Sequence, residues 1–222
     1  MKIPRDSFFG GLIVSVLSLG LTAVQTGFGP GSRADQDIDQ KVRSFLESQR
    51  GKWHDMNIPA EDGRVLYNLI IKHGYKKALE IGTSTGHSGT WIAWALSKTG
   101  GKLITIEIDK ERHDQAVENF RKAGLADHVD ARLGDAHDLV PKLEGPFDFV
   151  FVDADKEWYA NYLKAALPKL EVGGCFTAHN VRNTGSMSGI REFLNYVRSL
   201  PNLETTIDES SGSGISISIK RK

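Results

Sequence analysis

The run Ala78 to Gly89, ALEIGTSTGHSG, sets Glu80 near the end of an apolar stretch and Gly82 and Gly86 in the turn behind it, and the next apolar stretch closes on Glu107. Glycines in such a turn let a ligand approach the backbone, and a carboxylate at the neighbouring strand end can accept both ribose hydroxyl protons. The pattern describes a nucleotide at the rim of a parallel sheet. Gly82 and Gly86 lack the Gly-x-Gly-x-x-Gly spacing that rests a pyrophosphate on a helix N-terminus, which disfavours a dinucleotide. Glu80 would repel a pyrophosphate but suits a ligand with an amino group and a sulfonium, which points to S-adenosylmethionine. Taken alone, the loop also reads as a tight strand-to-helix turn, and Glu107 or Asp109 as ordinary strand-end acids. Glu107 is preferred because it shares a face with Thr105 where the apolar run ends. Asp153 closes a further apolar run in VFVDADK and brings another carboxylate to the same rim.

For these residues to meet, strands and helices must alternate. Apolar runs near 77–81, 103–108, 129–133, 148–153 and 174–178 read as strands, separated by helical patterns near 88–98, 111–123, 137–143, 157–170 and 187–199. Such alternation implies right-handed crossovers and a parallel sheet covered on both faces, an α/β doubly wound fold. Two helices precede the first strand, one carrying Ile38, Val42, Phe45 and Leu46, the other Val65, Leu66, Leu69 and Ile70 after Pro59. Residues 203–208 and 214–219 alternate around Ser210 to Ser213 and read as an antiparallel terminal pair.

Lysine plus arginine balances aspartate plus glutamate at 28 each in 222 residues, so no charge surplus indicates nucleic acid. The single cysteine, Cys175, excludes an intrachain disulfide and a multi-cysteine zinc site. Lys2 and Arg5 precede a largely apolar run from Phe8 to Val24, which reads as a membrane anchor over 1–25 or, alternatively, as a signal segment cleaved on export. Residues 26–37 read as a linker, and 38–222 as the globular domain.

Together these motifs give a chain that resembles the cation-dependent O-methyltransferases, which include catechol and caffeoyl-CoA O-methyltransferases and many bacterial relatives. The resemblance runs from about Met56 to Lys220 and is carried by MNIPAEDGRVL (56–66), LEIGTSTGHSG (79–89), ITIEID (104–109), LGDAHDLVPKL (133–143), DFVFVDADKEWY (148–159) and GGCFTAHNV (173–181). It implies a Rossmann-like class I methyltransferase with a mostly parallel seven-stranded sheet and an antiparallel C-terminal strand. It also implies S-adenosylmethionine contacts from Ile58, Glu80, Gly82, Thr83, Ser88, Glu107, Ala136 and Asp155, with His137 near the adenine edge. His87 stands where the family usually has tyrosine.

In that family the aspartate matching Asp153 binds a divalent cation with an Asp-Asn pair on the next strand, a pair that here reads His179-Asn180. Lys156 matches the general base. An imidazole shifts the expected cation from magnesium towards manganese or another transition metal. The resulting expectation is an S-adenosylmethionine-dependent O-methyltransferase acting on a small phenolic or catechol-like hydroxyl, cation-assisted through Asp153, His179 and Asn180, membrane-associated through its N-terminus and forming a homodimer. The competing readings are a cofactor-binding protein that has lost metal chemistry, a nicotinamide oxidoreductase, and an amino-methylase. The last is disfavoured because Asp153-Ala154-Asp155-Lys156 lacks a proline-aromatic turn.

Overall fold

The computed structural model describes residues 33–53, 56–182, 187–210 and 212–222. In chain order they form α1 (Arg33–Ser48), α2 (Ala60–His73), β1 (Lys77–Ile81), α3 (His87–Thr99), β2 (Lys102–Glu107), α4 (Lys110–Lys122), β3 (Val129–Leu133), α5 (Ala136–Lys142), β4 (Phe147–Val152), α6 (Tyr159–Ala166), β5 (Leu170–His179), α7 (Ser188–Ser199), β6 (Leu203–Asp208) and β7 (Ile215–Lys220). All lie within one unit, Gly31–Lys222.

Alternation along the apolar runs builds the layers. On one face Leu79, Ile81, Val150, Val152, Phe176 and Ala178 pack against α5, α6 and α7. On the other, Ala78, Leu103, Phe149, Phe151 and Cys175 pack against α1, α2 and α3, with α4 beside α3. A two-residue period thus sends successive side chains into opposite cores, as expected of strands buried on both faces. The sheet order is β3-β2-β1-β4-β5-β7-β6, parallel through β5, with β7 antiparallel to both β5 and β6. This is the doubly wound seven-stranded sheet expected. Cys175 is fully buried, and burial pushes its thiol up to about 12.

Two local expectations are corrected. Helix α1 starts at Arg33, inside the expected linker, because no glycine or proline interrupts the chain between Gly31 and Gly51 and the Asp37–Lys41 pair lies one helical turn apart. The single helix expected over 157–170 is instead α6 flanked by two 3-10 turns, the second, Leu167–Lys169, containing Pro168, which cannot continue an α-helical ladder. The apolar run 8–24 lies outside the described residues. Among the described residues no helix is long and apolar enough to cross a membrane.

Gly82 fixes how β1 meets β4. Its backbone is left-handed (φ 95°), and a Cβ there would lie 2.5 Å from the Asp153 carbonyl oxygen. Gly82→Ala is expected to destabilise the fold by about 1–3 kcal/mol through this overlap alone. Chemical denaturation of the variant checks it.

Candidate active site

The strand order reverses direction between β1 and β4, the switch point at which open α/β sheets bind ligands. A cavity of about 810 Å³ opens there, walled by Gly82 and Ser84, by Glu107 and Ile108, by Asp135 to His137, by Asp153 to Lys156, and by His179 and Asn180. Met56 (φ 63°), Ser84 (φ 48°) and Asn180 (φ 59°), the non-glycine residues with left-handed backbones among the described residues, all line it. Such conformations cost about 1–3 kcal/mol each and persist where surrounding structure holds them, typically at ligand clamps.

Along the wall from β1 to β3, the Glu107 carboxylate is fixed by three backbone donors. Ser84 N donates to Oε2 at 2.7 Å, and Ile108 N and Asp109 N donate to Oε1 at 3.0 Å. Farther along, His137 stacks on Trp158 with ring centres 4.2 Å apart, its Nε2 lies 3.3 Å from both Asp155 oxygens, and the Tyr162 hydroxyl donates to Asp155 at 2.8 Å. Trp158, to which the sequence assigned no role, thus sets the plane of the His137 ring.

Of the residues expected at the cofactor, Gly82, Glu107, Ala136, His137 and Asp155 line the cavity, while Ile58, Glu80, Thr83 and Ser88 lie behind its wall. Glu80 is fully buried beneath the loop, accepting from Thr105 Oγ1 at 2.6 Å and bonded by Ser88. Burial pushes it up to about 8, against the opposing pull of those two bonds. Its Oε1 has no partner among the described residues. His87, in the tyrosine position, acts as a strut. Its Nδ1 donates to Ile58 O at 2.8 Å, its Nε2 accepts from Trp91 at 3.1 Å, and its ring stacks on Trp53. That tautomer is neutral, in keeping with burial lowering its pKa.

At the β4 and β5 ends four side chains form a row. Asp62 Oδ2 lies 2.8 Å from His179 Nε2, His179 Nδ1 lies 3.0 Å from Asp153 Oδ2, and Lys156 Nζ donates to Asp153 Oδ1 at 2.6 Å and to Ala154 O at 3.0 Å. Asp62 and His179 are 1% and 3% exposed, so the inner half of the row is nearly shut off from water, while Asp153 and Lys156 face the cavity. Carboxylates only accept, so an imidazole bonding one at each nitrogen carries both protons. Burial alone would lower His179, but its bonds to Asp153 and Asp62 outweigh that and raise it to about 9. Burial works to raise Asp153, yet the His179 hydrogen bond and the charges of His179 and Lys156 hold it below the usual carboxylate value.

Asp62 was not among the residues expected at the site, although a signal existed. It sits one and two turns before Leu66 and Ile70, the buried face of α2, where a carboxylate needs a partner. Gly189 at the start of α7 seats the other end of the row, since a Cβ there would lie 2.4 Å from Lys156 O.

A divalent cation does not fit this donor set. Both His179 nitrogens are taken, each Asp153 oxygen already accepts from a cationic donor, and a dication would stand beside an imidazolium and an ammonium. Asn180 offers the one remaining neutral ligand of the expected three. Among the described residues no group of three or more His, Cys, Asp or Glu is arranged to hold a metal ion.

These shifts fix the sign of a pH effect. The folded chain keeps a proton on Glu80 between its ordinary 4.5 and about 8, and on His179 between 6.5 and about 9, that the unfolded chain has released. Stability therefore falls as pH rises through that window, and the part contributed by depressed Asp153 is lost on acidification. Denaturant midpoints are expected to be lower at about pH 9 than at about pH 6.

A parallel sheet with a backbone-held carboxylate at its switch point and an antiparallel terminal pair defines the Rossmann-like class I methyltransferase fold. The chain belongs to the O-methyltransferase family, whose pattern it matches over residues 32–208. It is 34% identical over 156 residues to caffeoyl-CoA O-methyltransferase 1 of Eucalyptus globulus, covering 66% of this chain and 63% of that protein. It is 38% identical over 136 residues to a catechol O-methyltransferase of Niastella koreensis, covering 60% and 61%. The chain thus spans about three-fifths of these curated relatives. An O-methyltransferase from Bacillus cereus, solved with SAH, superposes with a TM-score of 0.70 at 28% identity, covering 86% of this chain and 92% of that one. TomG of Streptomyces achromogenes, involved in tomaymycin synthesis and solved with SAM, gives 0.72 at 27% identity, covering 87% and 92%.

Proposed function

We propose that this chain transfers a methyl group from S-adenosylmethionine to a hydroxyl of a small phenolic or catechol-like acceptor. The observation that carries the reading is one cavity with two differently equipped ends. Glu107, fixed by three backbone donors, and the His137–Trp158 stack suit the ribose and adenine of a nucleoside. Asp153 and Lys156 place a carboxylate and an amine at the other end of the same space. The family membership and the SAM- and SAH-bound neighbours support the donor, and the catechol and caffeoyl-CoA relatives support the acceptor class.

In this reading the glycine loop and Glu107 hold the donor so that its sulfonium faces Lys156. Lys156 spends two N–H bonds on Asp153 and Ala154, which leaves one position on its nitrogen for the acceptor hydroxyl. Lys156, an ammonium in the resting row, first gives one proton to solvent at the cavity; as the methyl carbon bonds to the acceptor oxygen and leaves the sulfur, the hydroxyl proton passes to the resulting amine. The products are a methyl ether, S-adenosylhomocysteine and an ammonium. Positioning two reactants in line accounts for much of such a rate, and a placed base contributes about 10²–10⁴-fold more.

Lys156→Ala is therefore expected to lower turnover by about 10²–10⁴-fold while cofactor affinity stays near wild type. Turnover is read as S-adenosylhomocysteine release with a phenolic acceptor and affinity by calorimetry. Unchanged turnover would remove Lys156 from the reaction. The Lys156–Asp153 ion pair motivates a second reading, a cofactor-binding protein without transfer, which predicts cofactor binding but no turnover on any hydroxylated acceptor.

A further inference from the structure

The buried row Asp62–His179–Asp153–Lys156 alternates in charge, negative and positive by turns, from the first turn of α2 to the cavity wall. Resting on the methyl-transfer reading above, we propose that His179, clamped between Asp62 and Asp153, takes the place of a metal-ligating acid, so that this chain transfers methyl groups without a divalent cation. Asp62 is the positioning residue that makes this work.

A cation at the β4 and β5 ends needs lone pairs from Asp153 and from residue 179. Here Asp153 Oδ1 accepts from Lys156 and Tyr159 and Oδ2 faces His179, so a cation drawn to a remaining lone pair would sit against an ammonium and an imidazolium, and each nitrogen of His179 faces a carboxylate and has no lone pair to give. Turning the ring to free one nitrogen would strand Asp62, which is 1% exposed. An unpaired charge so deep is strongly disfavoured, so the row defends its own arrangement. What a cation would supply, positive charge beside Asp153 and a fixed site for the acceptor oxygen, is supplied by the imidazolium behind and by Lys156 at the wall. Asp62 touches neither donor nor acceptor. Its effect runs through the orientation of His179 and hence of Asp153 and Lys156.

The test uses the full chain after exhaustive chelation. Mn²⁺ and Mg²⁺ are titrated into it calorimetrically, and methyl transfer is measured with and without chelator, for wild type and for His179→Asp. Wild type is expected to show no saturable binding of either ion and a rate within about twofold of the unchelated protein, whereas His179→Asp, which restores an oxygen donor, binds Mn²⁺ at least about tenfold more tightly and loses rate on chelation. Stoichiometric Mn²⁺ or Mg²⁺ binding by wild type, or a rate abolished by chelation and restored by either ion, would overturn the proposal. If wild type transfers no methyl group under any condition, the functional reading fails on its own, and the titration still decides the cation question. Nitrogen NMR of His179 assigns Asp62. Both ring nitrogens are expected to be protonated near neutral pH in wild type, and Asp62→Asn is expected to lose that signature and lower kcat with little change in the KM for S-adenosylmethionine. An unchanged ring signal and kcat would remove Asp62 from the account. Wild-type data suffice should His179→Asp fail to fold.

Discussion

Asp62→Ala is expected to destabilise the fold by about 3–5 kcal/mol, because it leaves a buried imidazolium facing a cavity on one side. For a chain of this size that corresponds to a fall in Tm of roughly 6–20 °C. The cost arises from stranding a charge, not from the worth of the ion pair itself. A buried pair roughly breaks even against well-packed apolar residues, whereas removing one partner leaves the other without compensation. The double variant Asp62→Ala/His179→Ala should therefore lose much less than the sum of the single variants, since the two side chains share one interaction. Asp62→Asn, which keeps an acceptor oxygen 2.8 Å from Nε2, should fall between. Denaturant titration of the four proteins checks this. Additive losses would mean that Asp62 and His179 are not coupled as their distance requires.

The second large effect falls on cofactor affinity. Glu107→Ala is expected to weaken S-adenosylhomocysteine binding by about 100-fold, the equivalent of one or two charge-assisted hydrogen bonds. The fold should tolerate the change better than at Asp62, because the Ser84 and Ile108 N–H groups line the cavity and Asp109 is exposed, so water can replace the lost acceptor. Glu107→Gln keeps one acceptor oxygen and should lose less. Calorimetry reads both. An affinity unchanged in Glu107→Ala would move the nucleoside away from this wall.

The strands were legible because their cores are apolar on both sides and punctuated by glycines and acids, so each appeared within a few residues of its place. The terminal pair was legible from its two-residue alternation and the Ser/Gly turn between. Boundaries set by charge and by proline were less so. The start of α1 depends on weak one-turn pairing in a polar stretch, and the break at Pro168 lies inside an otherwise helical pattern. Glu107 and Asp153 could be placed because strand ends in a doubly wound sheet share a rim. Glu80 could not, since sequence reports its position on β1 but not that its side chain points beneath the loop towards Thr105. The same limit applied to His179. Its position was plain, but its chemistry depends on Asp62, 117 residues away in the chain, and no local pattern pairs the two. The only trace was an acid on the buried face of α2.

The central claim is that a methyl group passes from the Glu107 end of the cavity to a hydroxyl at Lys156. Its most direct test is incubation of the full chain with S-adenosylmethionine carrying a labelled methyl group and a panel of phenolic and catechol acceptors, with product analysed by mass spectrometry and NMR. The account predicts the label on an acceptor oxygen, with one S-adenosylhomocysteine released per methyl ether formed, and loss of both in Glu107→Ala. Tight cofactor binding with no label on any hydroxylated acceptor would contradict it.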